Sequence, residues 1–418
     1  MSRKSSGLVD GFLWVGTRCG MAAKPERRDR YGYCSYAHGF EPRLLGHVQP
    51  RSLSVLVASA LLLAGATRAT AQEHQWLHDV SAKNVITSYT VVQLSLLGLD
   101  VAADVNVRVF RLPDGGWGVS GTASPRRVQC FSPAGAPRGD LARSERELRA
   151  LDGDVLAVPI RGDLWVLDPR NARLSILTKE LEIVGERRLN VRPFFVSPGG
   201  DSASVLVSGS AYVRGIYYAV ARIALDSSKD VFGVPLGRNP LPASQWLIKR
   251  RMATATSDSE VWAVAMSGGA VDVLRNSDLS LLTQLELPGE EMSREAQWQL
   301  TNFDRRPAPR LLGLGSDATG LLWVTFAVAD QRWTSGMDPR TNVEKYFDTR
   351  ILAIDTMKRA VVGTLQLDAV CMPVERNLLS CTDELARTIR IVALRLHSYP
   401  HGDRAELLSK VVDGELRG

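Results

Sequence analysis

Beyond residue 71 the chain holds four histidines, His74, His78, His397 and His401, paired near opposite ends of that stretch. Imidazole is the side chain best suited to metal ligation or proton transfer near neutral pH, so a fold that joined its own ends could gather all four into a site. The simpler account leaves them exposed at the termini. No Gly-x-Ser-x-Gly elbow offers a serine nucleophile, and no phosphate loop, dinucleotide fingerprint or EF-hand is present. No catalytic residues and no metal ligands are assigned from the sequence.

Cysteine offers a different chemistry. Cys371 and Cys381 flank the turn Glu375-Arg376-Asn377 symmetrically, which lets them face each other across two antiparallel strands as a disulfide. A metal pair is the rival reading, but no nearby His or Cys completes it. Cys130 is left as a small buried apolar residue. Cys19 and Cys34 lie in the leading segment.

A disulfide implies export, and residues 53–66 supply a reason to expect it. They form an uncharged run preceded by Arg51 and followed by Ala69-Thr70-Ala71, the small-x-small pattern of a signal-peptidase site. We therefore expect a signal peptide over 51–71, cleaved after Ala71, with no stable membrane insertion afterwards. Arg68 stops the run short of the roughly 20 residues that span a bilayer. Residues 1–50 read as a disordered leader or a start assigned too far upstream; Val48 would give a compact alternative. The absence of Cys after the cleavage point argues against a lipid anchor, so the product is periplasmic or extracellular.

The net charge of +6 belongs to this leader. Residues 1–71 hold ten Lys and Arg against four acids, which leaves 41 of each sign in the remainder. A neutral mature chain has no global field for nucleic acid or an anionic membrane.

The elements that must position any site are short and β-rich. From about residue 104, apolar runs alternate with Gly, Asp, Asn and Pro turns, and one unit recurs: a strand, an Asp or Asn turn, then a second strand. Asp114 precedes Trp117-Gly118-Val119, Asp152 precedes Val155-Leu156-Ala157-Val158, and Asp201 precedes Ser204-Val205-Leu206-Val207. Asp258 precedes Val261-Trp262-Ala263-Val264, Asp317 precedes Leu321-Leu322-Trp323-Val324, and Asn377 precedes Leu378-Leu379-Ser380-Cys381. Third strands follow at Val128-Gln129-Cys130-Phe131, Leu164-Trp165-Val166-Leu167-Asp168, Val271-Asp272-Val273-Leu274 and Ile351-Leu352-Ala353-Ile354-Asp355. Fourth strands begin at Leu281 and Val361.

Six copies of four antiparallel strands predict an all-β, six-bladed β-propeller over 75–397, with 398–418 as a tail. A lone four-stranded sheet leaves both faces wet, and stacking around a ring buries them. The sixth copy lacks a fourth strand after Ile389-Arg390-Ile391-Val392, so one from residues 91–105 is expected to close the ring.

The phrase Asp317-x-x-Gly320-Leu321-Leu322-Trp323-Val324 and its echoes resemble the secreted bacterial six-bladed propellers of the NHL and streptogramin-lyase-like superfamily. That resemblance implies the architecture and says little of activity, since the same turn-and-strand phrase serves unrelated functions. A lactonase-like calcium site in the channel is one implication. The turn acids Asp114, Asp152, Asp201, Asp258 and Asp317 instead suit capping of tight turns, as do Asp168 and Asp355 at strand ends.

In such a meander the second-to-third turns and the blade-to-blade links share one end. The long connections, 237–249, 288–309 and 327–348, all fall there, and that end is the expected binding face. It carries Trp246, Trp298, Arg305, Arg306, Asp330, Trp333, Asp338 and Tyr346, either as a recognition patch or as loops pinned down by buried tryptophans. The expected role is a monomeric, non-enzymatic binding or scaffold module for a protein, peptide or glycan. No cofactor is implied, with calcium the one metal considered. The alternative is a metal-dependent hydrolase or lyase working in the central channel.

Overall fold

The computed structural model describes residues 75–81, 84–96, 107–121, 128–141, 155–200, 203–240, 245, 248–289, 306–334, 347–383 and 386–398. The expected signal peptide and Ala71, the leader and the tail after Ser398 lie outside them.

The N-terminal strands are β1 (Gln75–Trp76), β2 (His78–Asp79) and β3 (Asn84–Ser95). Blade 1 is β4 (Arg108–Arg111), β5 (Trp117–Ser120), β6 (Val128–Phe131) and β7 (Pro137–Asp140). Blade 2 is β8 (Leu156–Ile160), β9 (Asp163–Asp168), β10 (Arg173–Leu177) and β11 (Ile183–Arg188). Blade 3 is β12 (Val191–Pro198), β13 (Ser204–Val213), β14 (Ile216–Ala224) and β15 (Val231–Gly237). Blade 4 is β16 (Arg251–Ala255), β17 (Glu260–Ala265), β18 (Ala270–Arg275) and β19 (Leu281–Glu286). Blade 5 is β20 (Arg310–Ser316), β21 (Leu321–Ala329), β22 (Phe347–Asp355) and β23 (Ala360–Leu367). Blade 6 is β24 (Cys371–Glu375), β25 (Leu378–Asp383), β26 (Thr388–Ser398) and, from the other end of the chain, β3.

Each blade is an antiparallel meander, and the first strands touch one another in the closed cycle β4, β8, β12, β16, β20, β24 and back to β4. The protein is a six-bladed β-propeller, with those first strands around its axis. Closure is by β3, which pairs antiparallel with β26 at eleven positions from Ser398↔Asn84 to Thr388↔Ser95. The closing strand therefore begins earlier than the expected 91–105. Before it, β1 and β2 add as parallel fifth strands to the rims of blades 4 and 5, and Leu77 between them is buried in the core those blades share.

The period-2 alternation of the strands explains the packing, because each sheet must bury both faces. Six buried clusters each straddle one blade interface. Trp262, Val264 and Val273 of blade 4 meet Leu311, Val324 and Ile354 of blade 5. One residue along β21 the direction flips, and Trp323 packs with Ile351 against Cys371, Leu379 and Leu394 of blade 6. Cys130 is buried between blades 1 and 2 with Phe110, Leu164 and Val166. Buried indoles have partners for their N–H: Trp323 donates to Asp317 Oδ2 at 2.8 Å and Trp262 to Glu260 Oε2 at 3.1 Å.

The disulfide joins Cys371 and Cys381, which face each other across β24 and β25. One repeat was out of phase in the sequence: Leu156–Ile160 is the first strand of blade 2, not its second, and Asp163–Asp168 is the second, not the third. The turn between them is Arg161-Gly162, with both residues in the left-handed region (φ 52° and 87°), the two-residue geometry that matches strand twist without any Asp or Asn.

Candidate functional site: the channel and its long-loop end

The first strand of each blade runs from the end bearing the interblade links toward the end bearing the first-to-second turns. Residues at strand starts therefore ring one mouth of the channel, and residues at strand ends ring the other. At the long-loop mouth lies a cavity of about 110 Å³, lined by all six blades, with Arg108, Arg250 and Arg310 among its lining residues. Among the described lining residues the other side chains are apolar, including Phe194, Met252 and Leu311.

Arg250 and Arg310 are each only 8% exposed. Burial pushes Arg250 down to about 9, with the charge of Arg310 adding to the effect, and burial pushes Arg310 to about 10. Both stay cationic at neutral pH. The guanidinium of Arg250 sits 4.9 Å from the ring centroid of Phe194, whose carbonyl accepts from Arg108 Nη1 at 3.2 Å. The neighbouring Arg251 turns away to pair with Asp272 at 2.7 Å.

The opposite mouth is wider, with a cavity of about 480 Å³ edged by Arg111, Arg161, Arg376 and Glu375. Burial pushes the Glu375 carboxyl up, while Arg111 and Arg376 oppose the shift. Arg111 lies over the ring of Trp117 at 4.0 Å.

A third group lies on blade 5 at the long-loop end. Carboxylate oxygens of Asp330, Asp348 and Asp368 fall within 4.8 Å of one another, the first two buried and the third exposed. Arg332 bridges the cluster, with Nε 2.7 Å from Asp330 Oδ2 and Nη2 2.8 Å from Asp368 Oδ1. The hydrogen bond from Arg332 holds Asp330 below the usual carboxylate range. Asp348 is pushed up by burial and by the charges of Asp330 and Asp368, against a 2.6 Å hydrogen bond from Gln366 Nε2 to its Oδ2, and its buried Oδ1 accepts none. Three carboxylates are the donor type a hard cation such as calcium takes, but Arg332 already supplies a positive charge to two of them. The cluster lies off the channel.

Of the expected binding-face residues, Arg306, Asp330 and Trp333 are described, and all lie at this end of blade 5. Arg306 Nη2 donates to the Ala329 carbonyl at 2.7 Å. Trp333 packs half-buried against the cluster of Leu312, Phe347 and Val370, the loop-anchoring role. Trp246, Trp298, Arg305, Asp338 and Tyr346 lie outside the described residues. The loop within blade 5 is shorter than expected, since β21 reaches Ala329 and β22 starts at Phe347.

Asp317, Asp114, Asp168 and Asp355 cap turns. Asp317 Oδ1 accepts from the amides of Thr319 and Leu321, Asp114 Oδ1 from Gly116, Asp168 Oδ1 from Arg170 and Asn171, and Asp355 Oδ1 from Lys358. In blade 4 the capping falls to Ser257, whose Oγ accepts from Glu260 N at 3.0 Å, and not to Asp258. Asp152 and Asp201 lie outside the described residues, as do His74 and His401. His397 is hydrogen-bonded to Thr87 Oγ1 at 2.9 Å on the outer strands of blade 6, and His78 lies exposed on the rim of blade 5. Neither faces the channel.

Sequence reasoning missed the three channel arginines, Asp348 and Asp368, and a tyrosine pair. The hairpin β13–β14 runs past the last residue β12 pairs, and at its tip Tyr212, 55% exposed, lies 4.6 Å from Tyr217, centroid to centroid. A usable signal existed for the arginines. Each stands at the head of an apolar first-strand run, Arg108-Val-Phe, Arg250-Arg-Met and Arg310-Leu-Leu.

No family model matches the chain, and no curated protein sequence matches it. Solved structures resemble it at low identity. A member of the DUF4221 family from Bacteroides vulgatus has TM-score 0.49 and 8% identity, covering 76% of this chain and all of its own. A putative exported protein from Bacteroides fragilis has TM-score 0.42 and 10% identity, with 78% and 99% covered. A gluconolactonase from Xanthomonas campestris has TM-score 0.41 and 12% identity, with 72% and 89% covered. At these scores no activity or ligand carries over to this chain.

Proposed function

We propose that this chain is an exported binding propeller that presents its long-loop end to a protein, peptide or glycan. The observation that carries the reading is the asymmetry between the two ends. One end is closed by tight turns, while the other gathers the interblade links, the Asp330–Arg332–Asp368 network and the projecting hairpin with Tyr212 and Tyr217. An exposed tyrosine propped against a half-buried one provides rigid amphipathic contact area at low entropic cost. The Cys371–Cys381 disulfide supports an oxidising compartment, in keeping with the signal-like run before residue 71.

The alternative, a metal-dependent hydrolase or lyase in the channel, needs carboxylates or histidines converging on the axis. Among the described residues lining the two cavities, the only carboxylate is Glu375 and there is no histidine. No observation favours that alternative.

Arrays of envelope glycans and peptides test the reading. A ligand found there should lose at least about tenfold in affinity with Tyr212→Ala and Tyr217→Ala combined, while the melting temperature stays within about 1 °C. Turnover of lactone, ester or glycan substrates that a channel substitution abolishes would replace binding with catalysis.

A further inference from the structure

We propose that the turn-end mouth of the channel is a second binding site, which takes a short acidic peptide with both termini free and lays it along an arc of charged side chains on blades 6, 1 and 2. The inference goes beyond the reading of the long-loop end, which lies at the other mouth of the channel.

The cavity at the turn end is about 480 Å³, within the range of roughly 300–1,000 Å³ that small-molecule sites occupy, and all six blades line it. Its charged lining residues, among those described, are Glu375, Arg376, Arg111 and Arg161. They follow one another around the ring. Glu375 ends β24 of blade 6 and Arg376 opens the turn after it, Arg111 ends β4 of blade 1, and Arg161 opens the turn after β8 of blade 2. The facing arc, from blades 3, 4 and 5, contributes Val196, Ala255 and Leu314. A ligand charged along one edge and apolar along the other matches the two arcs.

The site holds both signs of charge, and they do not consume each other. Among the described residues, no hydrogen bond and no ion pair within 4.0 Å joins any of these four side chains to another, although Glu375 feels the charges of Arg111 and Arg376. Arg111 is held over the ring of Trp117 at 4.0 Å. The turn carrying Arg376 is fixed by its carbonyl, which packs directly against Gly315 of blade 5. The groups are therefore positioned before any ligand arrives.

Glu375 is partly buried and accepts no hydrogen bond, an arrangement that costs stability and that an amide of the same shape would ease. A ligand ammonium supplies the missing donors, and guanidinium forks match carboxylates. Three cations beside one anion favour a ligand with one ammonium and two carboxylates. The order around the ring sets its direction: the amino terminus lies at Glu375, and the C-terminal carboxylate and an acidic side chain lie toward Arg111 and Arg161.

Titration of the purified protein with the dipeptide Ala-Glu, its N-acetyl derivative, Ala-Lys and free glutamate, at equal ionic strength, tests the site by calorimetry and thermal shift. The expected result is a saturable rise in melting temperature of about 2 °C or more with Ala-Glu. N-acetylation, which removes the ammonium, should weaken binding about tenfold; glutamate should bind less tightly than the dipeptide, and Ala-Lys should give no saturable effect. Glu375→Gln should reverse the preference, weakening Ala-Glu about tenfold while leaving the N-acetyl derivative unchanged or tighter, a reversal that a purely structural role would not produce. The wild-type titrations need no variant, so misfolding cannot shield the proposal.

The absence of a saturable effect with Ala-Glu would overturn it. Equal binding of the N-acetyl derivative would reduce the site to a plain anion site, equal binding of glutamate would remove the peptide, and binding of Ala-Lys would remove the acidic preference; each overturns the proposal as stated. The Tyr212 and Tyr217 double variant locates the ligand. It should leave Ala-Glu binding intact, and loss of binding there would assign the dipeptide to the loop face and overturn the turn-end site.

Discussion

The fold disfavours the ionised form of Asp348. It is buried, faces Asp330 and Asp368, and leaves Oδ1 without a hydrogen bond, so ionising it costs more in the fold than in the unfolded chain. The sign follows from linkage: a carboxyl whose folded value is raised binds its proton more tightly when folded, so it contributes stability at low pH that is lost as pH rises through that value. Asp330, lowered by Arg332, works in the opposite sense, and its contribution is lost on acidification. Asp348→Asn should therefore raise stability at pH 7 by about 1 kcal/mol, the scale of relieving a buried unsatisfied acceptor. That gain should vanish as pH falls through the ordinary aspartate range near ~3.9. Urea midpoints between pH 3 and 8 would check it, and an offset independent of pH would refute the electrostatic cause. The same cluster shows what single residues reveal in sequence. Asp330 drew notice because it lies in a long connection, but Asp348 and Asp368 sit inside or beside ordinary strands, and only the pairing of β21, β22 and β23 brings the three together.

At the scale of elements, the strand phrase was legible wherever an Asp or Asn marked the turn before the second strand, as at Asp114, Asp317 and Asn377. It failed in blade 2 because Arg161 and Gly162 make that turn by backbone conformation alone, leaving no side-chain signature, so Val155-Leu156-Ala157-Val158 took the place of the second strand. Glycines in and just after the first strands serve two different needs, which substitution can separate. A Cβ added at Gly315 in β20 would lie 1.9 Å from the Arg376 carbonyl oxygen in the turn of blade 6, backbone against backbone at the channel wall. A Cβ at Gly162 would meet nothing within 4 Å, but its φ of 87° is left-handed. Gly315→Ala should cost about 2–3 kcal/mol by forcing inner strands apart, and Gly162→Ala about 1 kcal/mol from backbone strain. Denaturant midpoints give both values. Similar costs at the two sites would mean that adjacent blades yield more readily than their close packing implies.

For the whole molecule, the decisive step is closure, and it joins segments nearly the length of the ring apart. Asn84–Ser95 must find Thr388–Ser398, after β1 and β2 have been laid along the rims of blades 4 and 5. The need for a donated strand could be read from the sequence, because the sixth repeat ran out after Ile389-Arg390-Ile391. Its bounds could not, since pairing with β26 and burial of Leu94 between blades 6 and 1 set them, and both depend on the finished ring. The same dependence predicts when the contact forms. Loop-closure entropy must be met before non-local pairs stabilise anything, so the blades assemble through local hairpins and the β3–β26 seam closes last. Leu94 is fully buried there, and Leu94→Ala should cost about 3 kcal/mol. If closure follows the rate-limiting barrier, nearly all of that loss appears as faster unfolding, with the folding rate almost unchanged. Stopped-flow chevrons on wild type and variant measure the partition directly. A folding limb slowed by most of the lost stability would place the seam in the nucleus, with the chain ends meeting before the intervening blades have formed.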